Sequence, residues 1–159
     1  MKKKIIASIV ICLVIYLTTV LFKVPIGNPG YLNLSDTLIL LLLTHNSPAY
    51  AALIASASTA LADVTLGFGQ YALYTFMLRA VEGYVIATAH KKNWKYAIVC
   101  IILGILIILG YVATDYLLYG NMETVLLSLK LNGLQVIISV IIAIVAEKYL
   151  TDIKDRYLK

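Results

Sequence analysis

Asp36, Asp63 and Asp115 each lie within or beside a long apolar run, and so do Lys130 and the pair Arg79 and Glu82. A charged side chain at membrane depth is costly unless it meets a partner or a water-lined cavity. Asp63, near the end of an Ala-rich run, fits the cavity reading. Asp36 could equally cap a helix, and Asp115 could equally meet the membrane surface. Lys130 either snorkels to that surface or partners an acid or an anionic ligand. Arg79 and Glu82, three apart, are spaced for an intrahelical ion pair with a structural role.

The remaining reactive types point to no chemistry. His45 and His90 fall between apolar runs and lack metal-ligand spacing. Cys12 and Cys100 sit inside apolar runs with no neighbouring His or Cys. Such cysteines read as small apolar fillers, neither a zinc site nor an obvious disulfide. No G-x-x-x-x-G-K-[ST] run is present, so a P-loop is excluded. No H-E-x-x-H, no G-x-S-x-G and no carboxylate–histidine constellation occurs. The expectation is a protein that is not an enzyme, with no cofactor, no metal and no catalytic residue.

The elements that would position these residues follow from composition. Of 159 residues, 62% are hydrophobic and 13% charged, where a soluble domain carries about a quarter charged residues. Mean hydropathy is +0.93. Such a chain needs lipid as its solvent. The net charge of +5 forms no basic stripe interleaved with exposed aromatics, so nucleic acid is not expected as a partner.

A spanning helix needs about 20 mostly apolar residues, and that ruler predicts six spans. They run Ile5 to Val24, Tyr31 to Thr44, Pro48 to Leu66, Tyr71 to Ala89, Tyr96 to Tyr119 and Val125 to Leu150. The second is short, hence tilted, re-entrant or continued by the preceding loop. The start of the chain resembles a signal peptide, but Ile5 to Phe22 is long for one and no small-residue cleavage site follows. It reads as a retained first span.

Basic residues accumulate on the cytoplasmic side of membrane proteins. With the N-terminus inside, the inner segments hold Lys2, Lys3, Lys4, Lys91, Lys92, Lys95, Lys148, Lys154, Arg156 and Lys159. The outer segments hold Lys23 alone, while Arg79 and Lys130 lie within spans. This bias supports an even number of spans and argues against a dual-topology dimer. The fold class expected is an all-α membrane protein: one domain over residues 1–159, six transmembrane helices, both termini cytoplasmic, in a bacterial plasma membrane.

Polar residues share helix faces. Ser128, Asn132, Gln135 and Ser139 fall within a sector of about 60° at 100° per residue. Tyr111 and Asp115 share a face of the fifth span, with Tyr116 and Tyr119 beside them; Gln70 and Tyr74 share one on the fourth, next to Tyr71. Ser56, Thr59 and Asp63 line the third, and Asn33, Ser35 and Asp36 open the second. Nearly all lie in the outer halves of their helices, which describes a polar, Tyr-lined cavity open to the outside. Interfacial Tyr belts and polar contacts that join helices are the competing explanations.

The stretch Pro29-Gly-Tyr-Leu-Asn-Leu-Ser-Asp36, the Ala-rich run from Pro48 to Ala62-Asp63, Leu66-Gly67, and Arg79-Ala-Val-Glu82-Gly83 together resemble the substrate-binding S components of energy-coupling factor (ECF) transporters. The similarity is to the branch of riboflavin, hydroxymethylpyrimidine and pyridoxine-type members, and is firmest over Pro29 to Ala89. The resemblance implies a six-helix subunit that captures a vitamin or precursor from outside. It docks on a transmembrane coupling subunit and two cytoplasmic ATPases, and topples to release its cargo inward. It also implies a docking face of small residues on the first helix. Here Ala7 is followed four later by Ile11, while Ser8 and Cys12 keep the small-x-x-x-small spacing. The loop Val24 to Tyr31 would gate the site.

The expected function is therefore an S component of an ECF-type ABC importer, binding a small ring compound, pyrimidine- or pyridine-like. The expected binding residues are Asn33, Asp36, Asp63, Tyr71, Tyr74, Tyr111, Asp115, Asn132 and Gln135, with Ala7, Ser8 and Cys12 for docking. The alternatives are a non-transporting membrane scaffold, whose polar faces only join helices, and an intramembrane enzyme.

Overall fold

Helix ends in this chain fall where backbone chemistry requires them. Pro48 opens one helix after Ser47, whose extended backbone begins the turn; proline suits a first helical turn because its missing N–H would have no intrahelical partner there. Gly67 (φ +85°) and Gly120 (φ +60°) follow two helices in the left-handed conformation, and Asn93 (φ +54°) follows a third. Glycine and asparagine adopt that conformation most readily.

The computed structural model describes residues 2–25 and 31–157, with side chains for 5–23 and 33–151. The described residues form six helices: α1 (Lys2–Leu21), α2 (Ser35–Leu42), α3 (Pro48–Thr65), α4 (Ala72–Lys91), α5 (Tyr96–Tyr119) and α6 (Met122–Tyr157). A two-residue antiparallel pairing, β1 (Val24–Pro25) with β2 (Tyr31–Leu32), sets Val24 opposite Leu32. Residues 26–30 of the expected gating loop lie outside the described residues, as do the side chains of the lysines at 2–4 and of the basic residues after 151.

Short connections pack α3 against α4 and α5 against α6, while α1 lies on α3 and α2 on α6. The α3–α4 seam is close because its residues are small. A Cβ on Gly83 would meet the Ala51 carbonyl and stand 3.0 Å from the Ala55 Cβ. On the α5–α6 seam, a Cβ on Gly104 would lie 2.7 Å from Val136 Cγ1. The apolar core runs through Ile15, Ile39, Leu43, Ala55, Leu103, Ile107 and Val140. Isoleucine, leucine and valine also cover the outer faces of α1, α5 and α6, as expected where lipid is the solvent.

The expectations for the second and sixth spans are corrected. The second span is an eight-residue helix, about 12 Å long at 1.5 Å per residue, too short to cross a bilayer by itself. The sixth begins at Met122 and runs 36 residues, about 54 Å, well beyond the expected end at Leu150. Among the described residues, α5 and Met122–Thr151 are long and apolar enough to cross a membrane by length and composition, and Ile5–Leu21 is a shorter apolar stretch. The third and fourth helices fall below that mark because Ala, Ser and Thr dilute one and Arg79 and Glu82 charge the other.

Candidate ligand-binding site

The second helix starts where α4 and α6 carry their polar groups, and an ionic cluster forms at the junction. The Asp36 carboxylate takes the Arg79 guanidinium through one oxygen and the Gln135 Nε2–H, at 2.6 Å, through the other. Arg79 Nη1 also meets Glu82 Oε2 at 2.7 Å. Gln135 Oε1 accepts the Asn33 backbone N–H at 2.9 Å. Arg79, Asp36 and Glu82 are all buried. In such surroundings, removing one partner of an ion pair costs about 3–5 kcal/mol, because the other charge is left without compensation.

Above the cluster, α4 and α5 supply a second polar layer. The Tyr71 hydroxyl donates to the Asp115 carboxylate. The Thr75 and Tyr111 hydroxyls are 3.2 Å apart. The Arg79 guanidinium carbon stands 5.5 Å from the centroid of the Tyr111 ring, within cation–π range. The two layers enclose a cavity of about 80 Å³, well above the ~10–15 Å³ that one water needs.

Of the residues expected at the site, Asn33, Asp63, Tyr71, Tyr111, Asp115, Asn132 and Gln135 line this cavity. Asp36 stands directly behind it, bonded to Arg79 and Gln135. It does not cap α2: Leu34 holds the cap position, without a side-chain hydrogen bond. Tyr74 is not brought to the wall. The polar stripe of α6 divides. Gln135 lines the cavity, yet both ends of its amide are engaged, by Asp36 of α2 and by Asn33 two residues before that helix. Asn132 donates to Ser128 Oγ at 2.8 Å. Ser139 is buried beside α2, its carbonyl 3.4 Å from Thr37 Oγ1. The stripe thus both joins helices and faces the cavity. Lys130 is exposed.

Sequence reasoning missed Phe68, Thr75, Leu127 and Leu131 as lining residues, gave Arg79 a structural role, and set Ser128 on the polar stripe without naming it a binding residue. A signal was present for some of them: Tyr71, Thr75 and Arg79 follow one another at four-residue spacing, one continuous helix face.

The opposite end of the bundle has its own features. His90 lies in the last turn of α4 rather than between helices, and its Nε2 is 3.0 Å from Nδ1 of His45. The rings meet edge-on at 4.3 Å between centroids. They border a larger cavity, about 440 Å³, with Trp94, Tyr96 and Glu147. On α1, Ala7 is exposed, Ser8 half-buried, and Cys12 half-buried against the core. Among the described residues, no group of three or more His, Cys, Asp or Glu side chains could hold a metal ion.

Residues 1–152 match the family described as "ECF-type riboflavin transporter, S component". The chain is also similar to an "Uncharacterized protein in gap 3'region" of Pyrococcus woesei. The two are 34% identical over 107 residues, 65% of this chain and 72% of that protein.

Proposed function

This chain belongs to the ECF-type riboflavin transporter S-component family, and from that premise we propose that it is the substrate-capture subunit of a vitamin importer. Members of that family are membrane components of vitamin transport that bind substrate, and the family is not an enzyme class. The cargo of this chain is a B-vitamin or precursor of the pyrimidine or pyridine type. It enters the cavity between α4, α5 and α6 from outside and leaves inward once the chain docks on a transmembrane coupling subunit with two ATPases. The observation that carries this reading is the cavity itself, on which buried Asp63, Tyr71, Thr75, Arg79, Asp115, Ser128 and Gln135 converge from α3 to α6. Ligand sites are of this kind, mostly apolar with a few placed polar groups.

The charge bias supports the orientation. Lys91, Lys92 and Lys95 lie at the end opposite the cavity, and basic residues favour the cytoplasm. The cavity then faces outward, with both termini inside. Between α1 and α3, α2 is flanked among the described residues by non-helical chain at 22–25, 31–34 and 43–47, which a membrane tolerates where such chain is buried in protein or lines a cavity. The engagement of Gln135 by α2 favours the scaffold reading for that one residue. Cells that make this chain alone should bind cargo but accumulate little of it, whereas adding the coupling subunit and ATPases should give uphill uptake. Robust accumulation without any ATPase would sink the proposal.

A further inference from the structure

The connection Lys91-Lys92-Asn93-Trp94-Lys95 shapes the second cavity as well as joining α4 to α5. Asn93 takes the left-handed conformation (φ +54°). Its N–H returns to the His90 carbonyl at 3.2 Å, and the Trp94 N–H returns to the Ala89 carbonyl at 2.9 Å. This pair of bonds ends a helix at a left-handed residue and turns the chain back. Asn93 and Trp94 thereby join His90 in the wall of the cavity of about 440 Å³. His45, just after α2, and Glu147 and Leu150 of α6 stand in the same wall. The imidazoles, the Asn93 amide and the Trp94 indole all carry N–H donors. The charges around them are uneven. Lys91, Lys92, Lys95 and Lys148 are exposed at this end, and among the residues with described side chains Glu147 is the acid that stands against them. The Lys92 ammonium lies 5.6 Å from the centroid of the Trp94 ring, within cation–π range, which holds one positive charge at the wall itself. Glu147 is half-buried and accepts from the Thr151 hydroxyl at 3.2 Å.

We propose that this cavity seats the phosphodiester headgroup of an anionic phospholipid in the cytoplasmic leaflet. The inference goes beyond cargo capture and uses none of the residues of the capture cavity. Four ammonium groups against one carboxylate attract an anion, and each lysine near an anionic lipid surface strengthens binding about 5-fold. Basic pockets between helices on the cytoplasmic side hold such headgroups. The apolar part of the wall favours a lipid over free phosphate. Leu41, Ile86 and Leu150 line the same cavity, and Leu150 is exposed on α6, which gives an acyl chain a path out along the helix. Trp94 is exposed beside it, as a tryptophan at headgroup level is. Glu147 limits the charge. A phosphate monoester carries nearly two negative charges at neutral pH, and the second would oppose this carboxylate, whereas a diester carries one.

Trp94 is the single tryptophan of the chain, so tryptophan fluorescence reports on this cavity alone. The test titrates the full chain, purified in a neutral detergent, with phosphatidylglycerol, phosphatidylcholine and inorganic phosphate. Phosphatidylglycerol should change the Trp94 emission and saturate near one lipid per chain. Phosphatidylcholine, whose headgroup carries a compensating cation, should bind roughly 10-fold more weakly, and millimolar inorganic phosphate should give no saturable change. Lys92→Gln combined with Lys95→Gln should weaken phosphatidylglycerol binding about 30-fold, two lysines at about 5-fold each. Lys23→Gln combined with Lys130→Gln, at the other end, should leave it unchanged. All four lysines are exposed, so neither pair of changes disturbs the core. Titration midpoints are compared, since Lys92 stands on the Trp94 ring and its loss alters the starting signal. Glu147→Gln should leave the affinity equal or raise it. The proposal is overturned by equal affinity for the two lipids, by equal affinities of the two lysine-pair variants, by loss of binding in Glu147→Gln, or by inorganic phosphate saturating the signal as readily as lipid. None of these outcomes bears on cargo capture.

Discussion

The two ends of this bundle treat polar groups in opposite ways. At the cavity end, Asp36, Arg79, Glu82, Gln135, Tyr71 and Asp115 are buried and bond mainly from helix to helix. At the histidine end, Trp94 and the lysines around it are exposed. There the exposed His45 and His90 rings bond each other, and Asn46 bonds to a carbonyl one turn back in its own chain. A polar group of the second kind can be removed and water takes its place. One of the first kind cannot, because its partner stays behind in a medium of low dielectric. Chemistry and stability are therefore coupled at one end and separate at the other.

The sharpest way to break this contrast is Asp36→Ala. It leaves Arg79 and Gln135 facing an empty position, and should cost about 3–5 kcal/mol of stability. His45→Ala should cost about 1 kcal/mol or less, the usual range for a surface change. Thermal melts of both purified variants decide the matter, and similar losses would erase the distinction. Gly83→Val comes next. It forces a branched side chain against the Ala51 carbonyl, and overpacking of that kind costs about 1–3 kcal/mol. Wild-type-like melting would mean that the α3–α4 seam opens easily.

Sequence made the helices legible where local signals sufficed. Pro48, Gly120 and the unbroken apolar run from Tyr96 placed α3 and α5 nearly to the residue. The Arg79–Glu82 pair was legible because its members are three residues apart on one helix. The Asp36–Arg79 and Asp36–Gln135 contacts span 43 and 99 residues, and no local spacing encodes them. The shortness of α2 was half legible: leucine runs read alike in a helix of two turns or four, so only the length against the bilayer gave warning. Tyr74 was expected at the site through its spacing from Gln70, whereas the face that lines the cavity is the one through Tyr71 and Thr75.

The α6 stripe sharpens the comparison within a single helix. Gln135→Ala strands the Asn33 N–H and an Asp36 oxygen, and should cost about 1–3 kcal/mol of stability. Asn132→Ala removes a side chain whose bond to Ser128 stays within its own helix, so it should leave stability nearly unchanged and weaken cargo binding roughly 5- to 10-fold. Affinity and melting temperature measured on the same preparations separate the two, and matching profiles would show that the stripe acts as one unit. The smallest effect is expected from Asn93→Cys and Asn121→Cys in a background without native cysteines. Both positions are exposed. Asn93→Cys gives up a residue suited to φ +54° and Asn121→Cys an acceptor for the Glu123 N–H, so each should cost about 1 kcal/mol. An impermeant thiol reagent should nevertheless reach only Asn121→Cys from outside. Labelling of both from one side would remove the six-crossing arrangement.

The most direct measurement of the central claim is mass spectrometry of the small molecules released from purified wild-type protein and from Ser128→Trp, which fills the cavity from α6. The expected result is a nitrogen-heterocyclic vitamin or precursor, stoichiometric with the wild-type chain and missing from the folded variant. A wild-type protein that releases no such compound, or a variant that releases the same one in the same amount, would contradict the assignment of this cavity as the capture site.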